Sequence, residues 1–151
     1  MKILVLSVDI PSKNKKGYQI LSYHRIKYLA KQGHDITLIS FGDKNCSSYK
    51  SDYEELKEQN IKIIPIKYIK ILAPFKIFFA LFNRKMPFQC AIYKSFRYQL
   101  VARKILKEFK PDIIYSIMLR PLSNINIKNK RIVFDIVDSL VVNFERRLLN
   151  A

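Results

Sequence analysis

The sequence predicts an α/β fold, a Rossmann-like parallel sheet of strand order 3-2-1-4-5 with helices on both faces. Three observations predict it. Ile3-Leu4-Val5-Leu6-Ser7-Val8 is apolar throughout and does not alternate, as expected of a central parallel strand covered on both sides. Strand-like and helix-like segments succeed one another as β-α-β-α-β-α-α-β-β-α, which implies parallel pairing with helical crossovers. The chain has 151 residues, a length that suits one domain spanning 1–151. Right-handed crossovers then give the strand order and place the switch point between strands 1 and 4. A ligand is expected at the carboxyl ends of those strands, near Asp9–Tyr18 and Met118–Leu122.

After strand 1 comes a polar loop from Asp9 to Gly17, with Pro11 and three lysines. Gln19 to Gln32 reads as a helix with Ile26, Leu29 and Ala30 on one face, and Gly33 stops it as a C′ glycine. Asp35 to Phe41 is strand 2. Ser51 to Gln59 is a short charged helix, capped by Ser51 or Asp52. Ile61 to Ile66 is strand 3, ended by Pro65. Ile69 to Phe82 is helical from near Pro74, a residue tolerated in a first turn, and Met86-Pro87-Phe88 breaks it. Gln89 to Phe109 reads as one long amphipathic helix. Its stripe runs through Ile92, Phe96 and Leu100 and continues through Ile105, Leu106 and Phe109. Ile113 to Met118 is strand 4 and Arg131 to Val137 strand 5. Asp138 or Ser139 caps a last helix toward Leu149, loaded with Leu140, Val141, Phe144, Leu148 and Leu149. That load either packs on the sheet or covers for a missing continuation.

Composition excludes several classes. Hydrophobic residues make up 49% and charged residues 26%, so disorder is excluded as the main state. A chain of this size buries roughly 68–70% of its unfolded surface, enough for a core. Cys46 and Cys90 form no CxxC pair, and His24 and His34 supply no matching cluster, so no metal site is expected. Two free thiols fit a reducing cytosol. The first apolar run meets Asp9 too soon for a signal peptide. The longest apolar stretch, Ile69 to Phe82, is interrupted by Lys70, Pro74 and Lys76. A spanning helix needs about 20 predominantly apolar residues, so none is expected.

The charge has two readings. Lys and Arg total 28 against 12 Asp and Glu, a net +16. A polyanion partner is one explanation: nucleic acid, an anionic membrane or a phosphorylated ligand. Codon bias is the other, because Lys, Ile and Asn together supply 51 residues and all have AT-rich codons. Even bias does not explain the middle of the chain. From Lys62 to Lys110 there are twelve Lys and Arg and one acid, Glu108. Phe75, Phe78, Phe79, Leu81, Phe82 and Phe88 share that stretch. Apolar residues beside cations are what an interfacial membrane segment needs. The same residues also fit a core of aromatics under a solvated lysine face.

Motifs narrow the chemistry. The loop after strand 1 has only Gly17, which rejects a G-x-G-x-x-G dinucleotide site. No P-loop, G-x-S-x-G elbow or HExxH occurs. The Asp9–Tyr18 loop precedes a helix N-terminus, where backbone N–H groups favour anions, and Lys13, Lys15 and Lys16 add charge. It reads equally as a solvated loop with a turn glycine. His34 lies at the amino end of its strand, opposite the expected site, and His24 lies within a helix, so both read as structural. No RNP aromatic pair or recognition helix supports nucleic-acid binding.

Several ordered segments nonetheless resemble a family. These are the Pro-containing loop ending in Gly17, the turn Leu29-Ala30-Lys31-Gln32-Gly33-His34-Asp35-Ile36-Thr37-Leu38, and Lys110-Pro111-Asp112-Ile113-Ile114. Arg131 to Leu140 carries a D-x-x-D-S pattern at Asp135, Asp138 and Ser139, with Asn143, Arg146 and Arg147 after it. Together they resemble the amino-terminal, acceptor-side half of family 4 GT-B glycosyltransferases, in a bacterial sugar-transferase subgroup. Tyr18 stands where that family has a second glycine, and Leu21 where the subgroup often has Arg, while Ser22, Tyr23 and His24 match.

The resemblance implies an acceptor-binding half of an enzyme that moves a sugar from a nucleotide-sugar to a glycan or lipid-linked acceptor. The donor, rather than any cofactor of this half, would sit on a missing domain or partner chain, so the chain alone would be inactive. Expected acceptor or phosphate contacts are Gly17, Tyr18, Arg120, Asp135, Asp138 and Ser139; Asp138 also serves as an N-cap. No catalytic residue is assigned. The expected location is the cytoplasm, with peripheral attachment to the inner face of the cell membrane. The alternative is a non-enzymatic module that binds a membrane surface or a partner protein.

Overall fold

The computed structural model describes residues 1–42, 50–68, 88–126, 128 and 130–135. Five strands form one sheet: β1 (Lys2–Ser7), β2 (Asp35–Phe41), β3 (Lys62–Ile66), β4 (Ile113–Ile117) and β5 (Ile132–Asp135). Every pairing is parallel and the order is β3-β2-β1-β4-β5. The fold is therefore an α/β Rossmann-like sheet, as the apolar runs predict. β1 is central and buried from Ile3 to Ser7. Pro65 lies within β3, opposite Ser40, and does not end it. β3 is an edge strand, where the missing N–H of a proline is tolerated.

The pleat divides the apolar residues into two cores. On one face, Ile3, Val5, Ile36, Leu38 and Ile117 pack under Tyr23 and Ile26 of α1 (Gly17–Lys31) and Leu56 of α2 (Lys50–Glu58). On the other, Leu4, Leu6, Ile39 and Ile114 pack under Tyr98, Ala102 and Ile105 of α4 (Phe96–Glu108). Helices thus lie on both faces, with α1 and α2 opposite α4.

The helix ends show which sequence signals hold. α1 ends as Gly33 predicts. The Gly33 N–H donates to Ala30 O at 2.9 Å and the His34 N–H to Leu29 O at 3.3 Å, with Gly33 at φ 77°. That is a Schellman closure, which needs the left-handed residue. α2 begins at Lys50, so Ser51 and Asp52 are inside its first turn and neither is its cap. Asp52 is buried and accepts from Ser12 Oγ at 2.5 Å.

The expected helix from Gln89 to Phe109 is two helices, α3 (Phe88–Tyr93) and α4. Lys94 and Ser95 separate them. Ser95 is the N-cap of α4, its side chain accepts from the Tyr98 N–H, and its own N–H donates to Asn124 Oδ1 at 2.7 Å. The break resets the helical phase. Tyr98, Ala102 and Ile105 face the sheet, while Phe96 and Leu100 of the expected stripe are 72% and 47% exposed. The expected helices over 69–82 and 138–149, and Cys46, lie outside the described residues. Among the described residues, no helix is long and apolar enough to cross a membrane.

Candidate functional site

The site that the topology selects is the carboxyl edge between β1 and β4, which are adjacent. The two strands send their chains to opposite faces. β1 leads through residues 8–16 into α1, which covers one face. β4 leads into a short 3-10 turn, Arg120–Asn124, and Leu122 and Ile125 pack on the other face. Divergent exits of this kind leave a crevice at the switch point of an open α/β sheet.

The loop after β1 is built rather than loose. Ser7 Oγ donates to Asp9 O at 2.7 Å, and Gln19 Nε2 donates to Ile10 O at 3.0 Å. The Lys16 N–H donates to Gln19 Oε1 at 3.3 Å, half of a capping box. Ser12 Oγ ties the loop to Asp52 of α2. Ile10, Pro11 and Ser12 are buried, whereas Lys13 to Gly17 are exposed. The solvated-loop reading therefore holds for 13–17 and fails for 10–12.

The predicted site residues divide. Tyr18 donates its hydroxyl to Asp9 Oδ2, so a phenol and a carboxylate stand together at the edge. Gly17 opens α1, and a Cβ built there meets no heavy atom within 4 Å. The backbone around Gly17 is therefore approachable from solvent. Arg120 opens the turn after β4 and stacks its guanidinium over Tyr93, 5.4 Å from the ring centroid. Met118, near the start of that turn, adopts φ 70°.

Asp135 ends β5 and belongs to a different constellation. Its Oδ2 accepts from Tyr115 Oη at 2.6 Å and from Arg25 Nη1 of α1. Burial, and after it the Asp135 carboxylate, pushes the Tyr115 hydroxyl up to about 12, so Tyr115 stays a donor. The trio staples edge strand β5 to α1. Asp138 and Ser139 lie outside the described residues.

Lys13 and Lys16 of the loop have different roles. Lys13 Nζ lies 2.7 Å from Glu55 Oε2 and 3.9 Å from Asp52 Oδ1, so its charge is spent on α2. Lys27 Nζ lies 2.6 Å from Glu55 Oε1. Hydrogen bonds from Lys13 and then Lys27 hold the Glu55 carboxyl down at about 2. Lys16 is the N-cap residue of α1.

His34 lies at the amino end of β2 and His24 on the exposed side of α1, both along a groove away from the carboxyl edge. Cys90 is buried, and its burial pushes the thiol pKa up, which makes it an inert thiol. Among the described residues, no group of three or more His, Cys, Asp or Glu can hold a metal ion.

Sequence reasoning missed Asp9, Arg25 and Tyr115. Asp9 carried a signal, since it is the first acid after a buried apolar run. Arg25 and Asp135 are 110 positions apart, and their pairing depends on the fold.

No family model matches the chain, and no curated protein matches it. A solved structure that aligns with it is that of a predicted subunit of tRNA methyltransferase from Methanocaldococcus jannaschii. The identity is 16% over 98% of this chain and 74% of that one, with a TM-score of 0.41. The resemblance to family 4 glycosyltransferases is accordingly corrected: no family model and no curated protein supports it. Its motifs have a physical explanation in the fold itself. The Gly33-His34-Asp35 turn is the Schellman closure of α1 leading into β2. Lys110, at φ 48°, ends α4, and Asp112 Oδ2 accepts the Lys2 N–H at 2.7 Å, joining β4 to β1. In this fold these residues close a helix and join neighbouring strands.

Proposed function

We propose that this chain is a binding domain that holds a hydroxylated, anionic acceptor, such as a sugar phosphate, at its carboxyl edge for transfer of a sugar. The nucleotide-sugar donor is held by another domain or chain. The observation that supports this reading is the contact of the Tyr18 hydroxyl with Asp9 in the loop that leads from β1 into α1, with Arg120 in the turn that leaves the adjacent strand β4. A carboxylate and a phenol orient an acceptor hydroxyl by hydrogen bonds, which is the positional demand of group transfer. The start of α1 and Arg120 favour the anionic group. The reading rests on this chemistry and not on family membership.

Calorimetric titration of the full chain with glucose 1-phosphate, galactose 1-phosphate and inorganic phosphate tests it. Saturable binding of a sugar phosphate, weakened by Arg120→Ala and by Gly17→Ala, is the expected result. Gly17→Ala meets no steric obstacle and improves helix propensity, so a binding loss there reports on ligand approach and not on folding. Absence of binding to every sugar phosphate contradicts the proposal. The chain alone is expected to leave a nucleotide-sugar intact.

A second reading is favoured by α4. Phe96 and Leu100 are exposed one turn apart, and Arg103 and Lys107 continue the same line with Arg97 and Lys104 beside it. Glu108 is the lone acid of this helix, 3.8 Å from Lys104. Exposed apolar side chains set among cations fit an anionic lipid surface, with the chain peripheral to the inner face of the cell membrane. Co-sedimentation with phosphatidylglycerol vesicles, lost in Phe96→Ser/Leu100→Ser and in high salt, is the expected outcome. Equal binding to phosphatidylcholine vesicles contradicts it.

A further inference from the structure

Because every pairing is parallel, all five strands start at one edge of the sheet, opposite the carboxyl edge. The starts of the neighbouring strands β1, β4 and β5 gather five cations there. Lys2 opens β1, Lys110 precedes β4, and Lys128, Lys130 and Arg131 lead into β5. All five are exposed. Among the described residues, none of them makes an ion pair. Lys2 Nζ lies 5.6 Å from the centroid of the Phe109 ring. Two acids stand at these strand starts. Asp35 is opposite Lys2 in β2, and Asp112 Oδ2 already accepts the Lys2 N–H. Outside the described residues the sequence holds three acids, Asp43, Asp138 and Glu145, and more Lys and Arg than acids. Those segments therefore add net positive charge.

The backbone at Lys110 shows a cation kept where a glycine would fit better. Lys110 is at φ 48°, in the left-handed region that strains a side chain and favours glycine after a helix. α1 meets the same demand with Gly33, at φ 77°. We propose that this amino edge binds the phosphate backbone of a nucleic acid, without regard to sequence. Five unpaired cations at the starts of three neighbouring strands, about 10 Å across, make the electrostatic footprint of a polyanion. They come from strand starts and a turn, so the patch offers no helix or β-ribbon to a groove for base readout. A lipid surface matches it less well. Phe96 and Leu100, the exposed apolar pair of α4, lie toward the other end of that helix. Leu100 is about 15 Å from Lys110 at 1.5 Å per residue. The proposal is independent of what binds at the carboxyl edge.

Fluorescence anisotropy of a labelled, mixed-sequence single-stranded oligonucleotide, titrated with the full chain, tests it. Affinity should fall with salt, with a log–log slope of about −3.5 when all five cations meet phosphates. Lys128→Gln/Lys130→Gln should weaken binding severalfold at low salt and flatten the slope by about 1.4. Lys110→Gly should also weaken binding, with a melting temperature that does not fall. Arg97→Gln/Arg103→Gln removes two charges from α4 instead and should leave the slope unchanged. No binding at low salt, or equal flattening in the α4 variant, overturns the proposal. So does binding to phosphatidylglycerol vesicles that Lys128→Gln/Lys130→Gln abolishes while oligonucleotide binding is unaffected, which assigns the edge to a membrane. If Lys110→Gly melts lower than the wild type, the turn variant alone decides.

Discussion

A Cβ added at Gly42 would lie 2.7 Å from Cδ1 and 2.9 Å from Cγ1 of Ile10, which is 1% exposed. Ile10 belongs to the loop that shapes the carboxyl edge, so this glycine sets how closely the end of β2 approaches the loop. Gly42→Ala is expected to destabilise the fold by about 1–3 kcal/mol through overpacking, measured by urea denaturation. An unchanged midpoint contradicts the packing argument. Glu55 makes a second prediction at this scale. Lys13 and Lys27 lower its pKa from 4.5 to about 2 in the folded chain. A depressed carboxyl pKa contributes stability above the unfolded value, and that stability is lost as pH falls through the folded one. Between pH 4.5 and 2 the wild-type melting temperature should therefore fall more steeply than that of Glu55→Gln. The offset between them should be constant at higher pH. Neither feature was legible in the sequence. Gly42 carries no local signal, and the contact of Glu55 with Lys13 joins residues 42 positions apart.

Among the elements, the junction of α3 and α4 departs most from the sequence pattern. Hydrophobic periodicity ran on from Ile92 through Phe96 and Leu100, and it could not register a cap formed by a distant side chain. Asn124, from the turn after β4, is 3% exposed. Its Oδ1 accepts the Ser95 N–H and its Nδ2 donates to Tyr93 O at 3.0 Å, satisfying both ends of the break. Asn124→Ala leaves two backbone groups without this partner and is expected to cost about 1–3 kcal/mol. Hydrogen exchange should localise the loss to residues 90–99, and an unchanged exchange rate there contradicts the assignment. Local signals held in part: Ser51, Asp52 and Pro65 offered a cap and a strand end that the structure does not use. Gly33 closed α1, and the unbroken apolar runs gave β1, β2 and β4 within one or two residues. The strands were legible because burial on both faces demands apolar residues throughout. The split helix was not, because its cause lies in tertiary contact.

Across the whole molecule, strand order was legible because handedness leaves few ways to connect five parallel strands. The order fixes the switch point, and the switch point fixes which loops meet. Gly17 and Tyr18 follow β1, and Arg120 follows β4, each beyond the carboxyl end of its strand; that they bind a ligand is the proposal. Sequence reasoning grouped Asp135 with them, whereas the structure binds Asp135 to Arg25 and Tyr115 as a staple for β5. Two of the segments behind the family resemblance, the Gly33-His34-Asp35 turn and Lys110 to Asp112, have roles in closing a helix and joining β4 to β1. The central claim is therefore the site, and the most direct test is an amide chemical-shift map. Glucose 1-phosphate titrated into the ¹⁵N-labelled full chain should move amides in residues 9–18 and 118–122 saturably, with those of α4 unmoved. Shifts confined to α4, or none at the carboxyl edge with any sugar phosphate, would contradict it.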